Sequence, residues 1–150
     1  MPLRDDETIP VDAVLLRVLL PDPNWTTNKG GRHRPSSLAF FSVHQEVSYF
    51  LDGPGMLPEL HRIFPGLEIA RIPARVIRGV GFAIERRPAE CPEDFRCERA
   101  SHVIAGPSTE ATRIEFQKRA GYIAKNLDVT IISPEPPGPE KPQPPQEPAT

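Results

Sequence analysis

The chain has 150 residues, a formal net charge of −2 and 20 prolines. Its length suits one domain, its near-neutral balance argues against a dedicated duplex-DNA binder, and apolar runs of about six residues are too short to span a membrane. Two cysteines do not make a disulfide scaffold, and the acidic, polar start "MPLRDDETIP" has no apolar secretory segment, so the expected location is the cytoplasm.

Taken in chain order, "VDAVLLRVLL" (11–20) reads as a buried strand that Pro21 stops. Arg17 interrupts it, and a charge in such a run needs a partner or an exit to solvent. "PDPNWTTNKGGR" (21–32) has the composition of a loop. "SLAFFS" (37–42) and "VSYFL" (47–51) predict two strands of an antiparallel hairpin. "MLPELHRIF" predicts a short helix with Pro58 in its first turn and Pro65-Gly66 as its stop. A strand at "LEIARI", a helical turn at "ARVIRG" and a strand at "GFAIE" follow. "RRPAECPEDFRCER" reads as a polar surface excursion, and "SHVIAG" (101–106) as a further strand. The clearest helix comes next. Ser108 or Thr109 would cap it, Glu110 would sit in its first turn, and Phe116, Ala120, Ile123 and Leu127 would form one apolar face. "VTII" predicts a last short strand.

Eight of the prolines fall between Pro134 and Pro148. With no large apolar residue after Ile132, residues 133–150 are expected to be a disordered proline-rich tail. Its Glu135, Glu140 and Glu147 against Lys141 account for the whole net charge. Residues 10–132 then form a single globular domain. Strands outnumber helices without regular alternation, so the expected class is α+β: a curved, largely antiparallel sheet with one main C-terminal helix and a short helix. Neither "GxGxxG" nor "GxxxxGK[ST]" occurs.

The first place for chemistry is "NKGGRHRPSS" (28–37). Its glycines let successive N–H groups converge on an anion. Lys29, Arg32 and Arg34 add charge, Ser36 and Ser37 add hydroxyls, and His33 is a candidate acid or base. The plainer alternative is a solvated basic loop, and phosphate loops normally open a helix, whereas this segment leads toward a strand. The second place is His102, on the strand face opposite Val103 and Ala105. It either serves a cleft as an acid or base, or is a structural histidine bonded to backbone.

Other chemistries are less favoured. Cys91 and Cys97 are separated by five residues with one later histidine, which does not match zinc spacing, so no metal site is expected and the two read as loop thiols. A serine triad on Ser36 or Ser37 lacks the "GxSxG" elbow. Arg62, Arg71, Arg75, Arg78, Arg86 and Arg87 lack interleaved aromatics and read as a solvated face rather than a nucleic-acid platform. The proline segments either dock on an aromatic groove of a protein partner or form a plain flexible tail.

"RPSSLAF", then "EVSYF", then "SHVIAG" before the last helix resemble a group of small uncharacterised bacterial proteins with an RPSSxxF segment and a late HxxxG. That resemblance covers most of residues 14–129 and implies boundaries rather than an activity. The order "LLRVLL", "GGRHRPSS", "VSYFL" is also similar to ADP-ribosyltransferase domains, including the RES type of toxin. This analogy implies NAD as cofactor, with Arg17 on its phosphates, Ser36 and Ser37 against a ribose and Tyr49 on the nicotinamide. The catalytic glutamate of such domains has only Glu85 and Glu98 as candidates.

The expectation is therefore a phosphate- or nucleotide-binding cleft, in an NAD-processing toxin or conflict-system component. Arg17, Arg32, Arg34, Ser36, Ser37 and Tyr49 would bind, and His102 and His33 would act as catalytic groups. The alternative is a non-catalytic accessory or immunity module that recruits a partner through its sheet and tail. The cleft requires those segments to meet on one wall.

Overall fold

A computed structural model describes residues 2–134. The elements are β1 (Val14–Val18), β2 (Thr26–Lys29), β3 (Arg32–Pro35), β4 (Val47–Leu51), α1 (Met56–Ile63), β5 (Ile69–Pro73), α2 (Ala74–Gly79), β6 (Phe82–Arg86), β7 (His102–Pro107), α3 (Arg113–Lys125) and β8 (Thr130–Ile132). Six strands form one sheet in the order β6-β7-β4-β1-β5-β8, and every neighbouring pair is antiparallel. β2 and β3 form a separate hairpin. This is the expected α+β class.

Strand alternation sends side chains to two cores. On one face Leu15, Tyr49, Ile72, Ile84 and Val103 pack with Phe116, Ala120 and Ile123 of α3. On the other, Leu16, Phe50 and Ile69 pack with Met56 and Leu60 of α1 and with Cys91 and Phe95. The central strands are covered on both sides, which is why "VLLRV" and "VIA" read as apolar runs rather than clean alternations.

Five expectations need correction. Residues 37–42 are not a strand: Ser37–Phe40 is a 3-10 turn that buries Ala39 and Phe40. The hairpin partner expected for β4 is thus absent, and β4 pairs with β1 and β7. Residues 21–32 are not a plain loop. Asp22 caps a 3-10 turn over Pro23–Trp25, and the β2–β3 hairpin follows. Gly30 and Gly31 have φ of 58° and 77°, the two positive values a type I′ hairpin turn needs.

Helix α3 is capped by Thr112, not Ser108 or Thr109. Thr112 and Glu115 form a capping box, and Leu127, expected on the apolar face, is 66% exposed while Ala124 is buried instead. The "RRPAECPEDFRCER" excursion (86–99) is not all surface, because Cys91 and Phe95 are core residues, with the Phe95 and Phe50 ring centres 5.3 Å apart. The folded unit also begins before residue 10. Leu3 and Ile9 are buried, Arg78 and Arg86 grip Asp5 and Asp6, and the Asp6 N–H donates to the Ile84 carbonyl on the β6 edge. Apart from Ser133 and Pro134, the proline-rich tail lies outside the described residues.

Candidate functional site

The site begins with a split in the sheet. β1 and β4 pair only through Leu15↔Leu51 and Leu16↔Phe50. Beyond Leu16, β1 continues alongside β5 as far as Val18↔Ile69, while β4 continues alongside β7 to Val47↔Ala105. Strands that part leave backbone carbonyls without ladder partners, open to other donors. Arg17 donates to one of these, on β4, and to a carbonyl of the 37–40 turn. Its Nη1 donates to the Ser48 carbonyl at 3.1 Å and its Nε to the Ala39 carbonyl at 2.9 Å. The guanidinium also lies 4.9 Å from the centre of the Trp25 ring, a cation–π distance. Burial pulls its pKa below the usual arginine value, against an opposing effect of Tyr49.

Across the split stands His102, the first residue of β7 and 4% exposed. Its Nδ1 is 2.8 Å from the Arg87 carbonyl oxygen. A carbonyl only accepts, so Nδ1 carries a proton, and in the neutral ring Nε2 is the nitrogen left to accept. The ring stands edge-on to Phe50, with centroids 5.2 Å apart.

Arg17 and His102 line one pocket of about 310 Å³. Leu20, Trp25, Phe50 and Phe64 provide most of its apolar wall, and Glu90 also lines it. Concave, mostly apolar sites with a few placed polar groups are the usual form of small-ligand pockets. Trp25, Phe64 and Glu90 escaped the sequence reading. The one available signal was that Trp25, the only tryptophan, follows a proline-bounded turn rather than a core run.

The other predicted residues are placed elsewhere. Arg34, Ser36 and Ser37 line a different pocket of about 390 Å³ with Thr27 and Lys125. Arg34 Nη2 donates to the Ala124 carbonyl at 3.0 Å, at the C-terminal turn of α3. The Ser36 hydroxyl donates to the Asn24 carbonyl, and its N–H to the Trp25 carbonyl. The "RPSS" segment therefore ties the hairpin to the body and caps a helix end. His33 has both ring nitrogens engaged, by Asn28 Oδ1 at 3.2 Å and by Glu68 at 2.9 Å, which tethers the hairpin beside β5. Arg32 is exposed on the hairpin. Tyr49 is 1% exposed inside the α3-side core, where burial raises its pKa, so its ring has no open face for a nicotinamide. Of the two glutamate candidates, Glu85 is bonded to Arg87 and the Arg4 N–H, and Glu98 precedes the 99–101 turn. The carboxylate beside His102's pocket is Glu90. The single wall expected for all these groups is thus divided, with only Arg17 and His102 sharing one pocket.

Among the described residues no three His, Cys, Asp or Glu side chains gather to hold a metal ion, and no helix is long and apolar enough to cross a membrane. No family model, no curated protein and no solved structure matches the chain.

Proposed function

We propose that this domain binds a small, planar, largely apolar ligand in the pocket between Arg17 and His102, with His102 Nε2 accepting a proton or hydrogen bond from it. The carrying observation is the 2.8 Å contact between His102 Nδ1 and the Arg87 carbonyl. It fixes the tautomer and orients the ring, as a general base requires. A pocket of about 310 Å³ is roughly twice the 150 Å³ or so that accepts benzene. That supports one substituted ring or a nucleobase-sized group, and not a whole dinucleotide. The nucleotide expectation is thereby narrowed to a ring-binding one.

An anion site at Arg34 and Lys125 has less support. The last turn of α3 presents carbonyl oxygens and the negative end of the helix dipole there, and Arg34 is already committed to one of those carbonyls.

Trp25 is the only tryptophan, so its fluorescence reports the pocket alone. Titration with benzoate, nicotinamide and adenine should give a saturable change for at least one of them. The same ring should shift the ¹⁵N signal of His102 Nε2 and leave Nδ1 protonated. No change in either signal across the set defeats the reading.

A further inference from the structure

The charge of Arg17 has no counter-charge among the described residues. Arg62, Arg78, Arg86 and Arg87, all about a third exposed or less at the side chain, each lie within 3.0 Å of a carboxylate oxygen. Arg17 has instead two neutral carbonyls and the Trp25 ring. Removing a guanidinium from water is costly unless it is paired. Of its five N–H groups, the contacts to Ala39 and Ser48 use one on Nε and one on Nη1. Three N–H groups remain, two on Nη2 and one on Nη1, as donors for a planar carboxylate.

We infer that the ligand is a monoanionic aromatic carboxylate, its carboxylate on the Nη1/Nη2 fork of Arg17 and its ring against Phe50 and Phe64, within reach of His102 Nε2. This rests on the pocket reading above and names its ligand class. Three observations favour one negative charge over the two of a phosphate monoester. Among the described residues Arg17 is the one Arg or Lys lining the pocket. The wall is mostly apolar, so a second charge has no partner. Glu90 also lines the pocket, held at 3.0 Å by Arg87, and its carboxylate repels a dianion more strongly than a monoanion.

The test compares isosteric pairs on the full chain at fixed ionic strength, read by Trp25 fluorescence: benzoate with benzamide, nicotinate with nicotinamide, and phenyl phosphate as a third arm. Each acid should bind at least about tenfold tighter than its amide, as expected for gaining a charge-assisted bidentate contact. Arg17→Lys, which keeps the charge and loses the fork, should cut that preference to about threefold or less. If that variant does not fold, the wild-type pairs still decide. Equal affinity of acid and amide overturns the assignment to Arg17 and leaves the pocket reading standing. Silence from every ring, acidic or neutral, overturns the pocket reading itself. Phenyl phosphate binding tighter than both acids overturns the choice of a single negative charge.

Discussion

Arg87 and His102 hold each other through two bonds of 2.8 Å, the Arg87 N–H to the His102 carbonyl and His102 Nδ1 to the Arg87 carbonyl. The pair closes the β6–β7 ladder one step beyond Arg86↔Val103. The Arg87 side chain meanwhile grips Glu85 and Glu90. One residue therefore sets both the tautomer of the candidate base and the position of Glu90 in the pocket. His102→Ala leaves the Arg87 carbonyl without its side-chain donor, and should cost about 1–3 kcal/mol in urea unfolding, with binding of every ring probe weakened as well.

Glu59 anchors the 86–99 excursion to α1. It is 7% exposed, takes two bonds from Arg62 at 2.9 and 2.8 Å, and accepts the Arg96 N–H. Arg62 also donates to the Asp94 carbonyl at 2.8 Å. The Arg62 hydrogen bond, with help from Arg96, brings the Glu59 pKa down to about 2 from an ordinary value of 4.5. Between those values the unfolded chain binds more protons than the folded one, so stability rises with pH there. The contribution is complete above about pH 4.5 and disappears as pH falls through about 2. Asp6 and Glu85 are shifted in the same direction. Glu59→Gln should flatten part of the acid limb of a denaturation series and raise proteolytic cleavage within residues 88–100. An unchanged limb would show that Glu59 does not control this window.

Gly106 is required by contact, not by its backbone angles. A Cβ there would lie 2.1 Å from the Gln45 carbonyl oxygen. Gln45 has little room to retreat, since its φ is 60° and its side chain donates to the Ala111 carbonyl. Gly106→Ala should destabilise by about 3 kcal/mol, the upper end for overpacking, measured by denaturation midpoint. The glycine of the "HxxxG" segment would then be explained by packing rather than chemistry.

The two ends of α3 test whether "RPSS" is scaffold or site. Thr112→Ala removes the capping box and should cost about 1 kcal/mol. Arg34→Ala removes the donor to the Ala124 carbonyl and should cost about 0.5–1 kcal/mol. Thermal melts measure both losses. Neither substitution should change ring binding at Trp25, and a drop in affinity with Arg34→Ala would return the loop to the binding site.

Several elements could be read locally because their burial is periodic. Phe116, Ala120 and Ile123 mark the inner face of α3, and Val103 and Ala105 mark one face of β7. The cap was also legible, in "TRIE", but the earlier hydroxyls of Ser108 and Thr109 competed for that role. The 37–42 segment was not legible. Four consecutive apolar residues fit a buried strand or a tight turn equally well, and Pro35 gives no preference between them.

Composition and periodicity by themselves determined an α+β chain with a long C-terminal helix, because apolar spacing is a property of neighbouring residues. Only the tertiary structure decided which polar groups meet. Arg17 reaches the pocket because β1 and β4 part after two paired residues, and His102 lines it with its ring oriented by the Arg87 carbonyl at Nδ1. Both outcomes depend on contacts between segments far apart in the chain, so no local pattern encodes them.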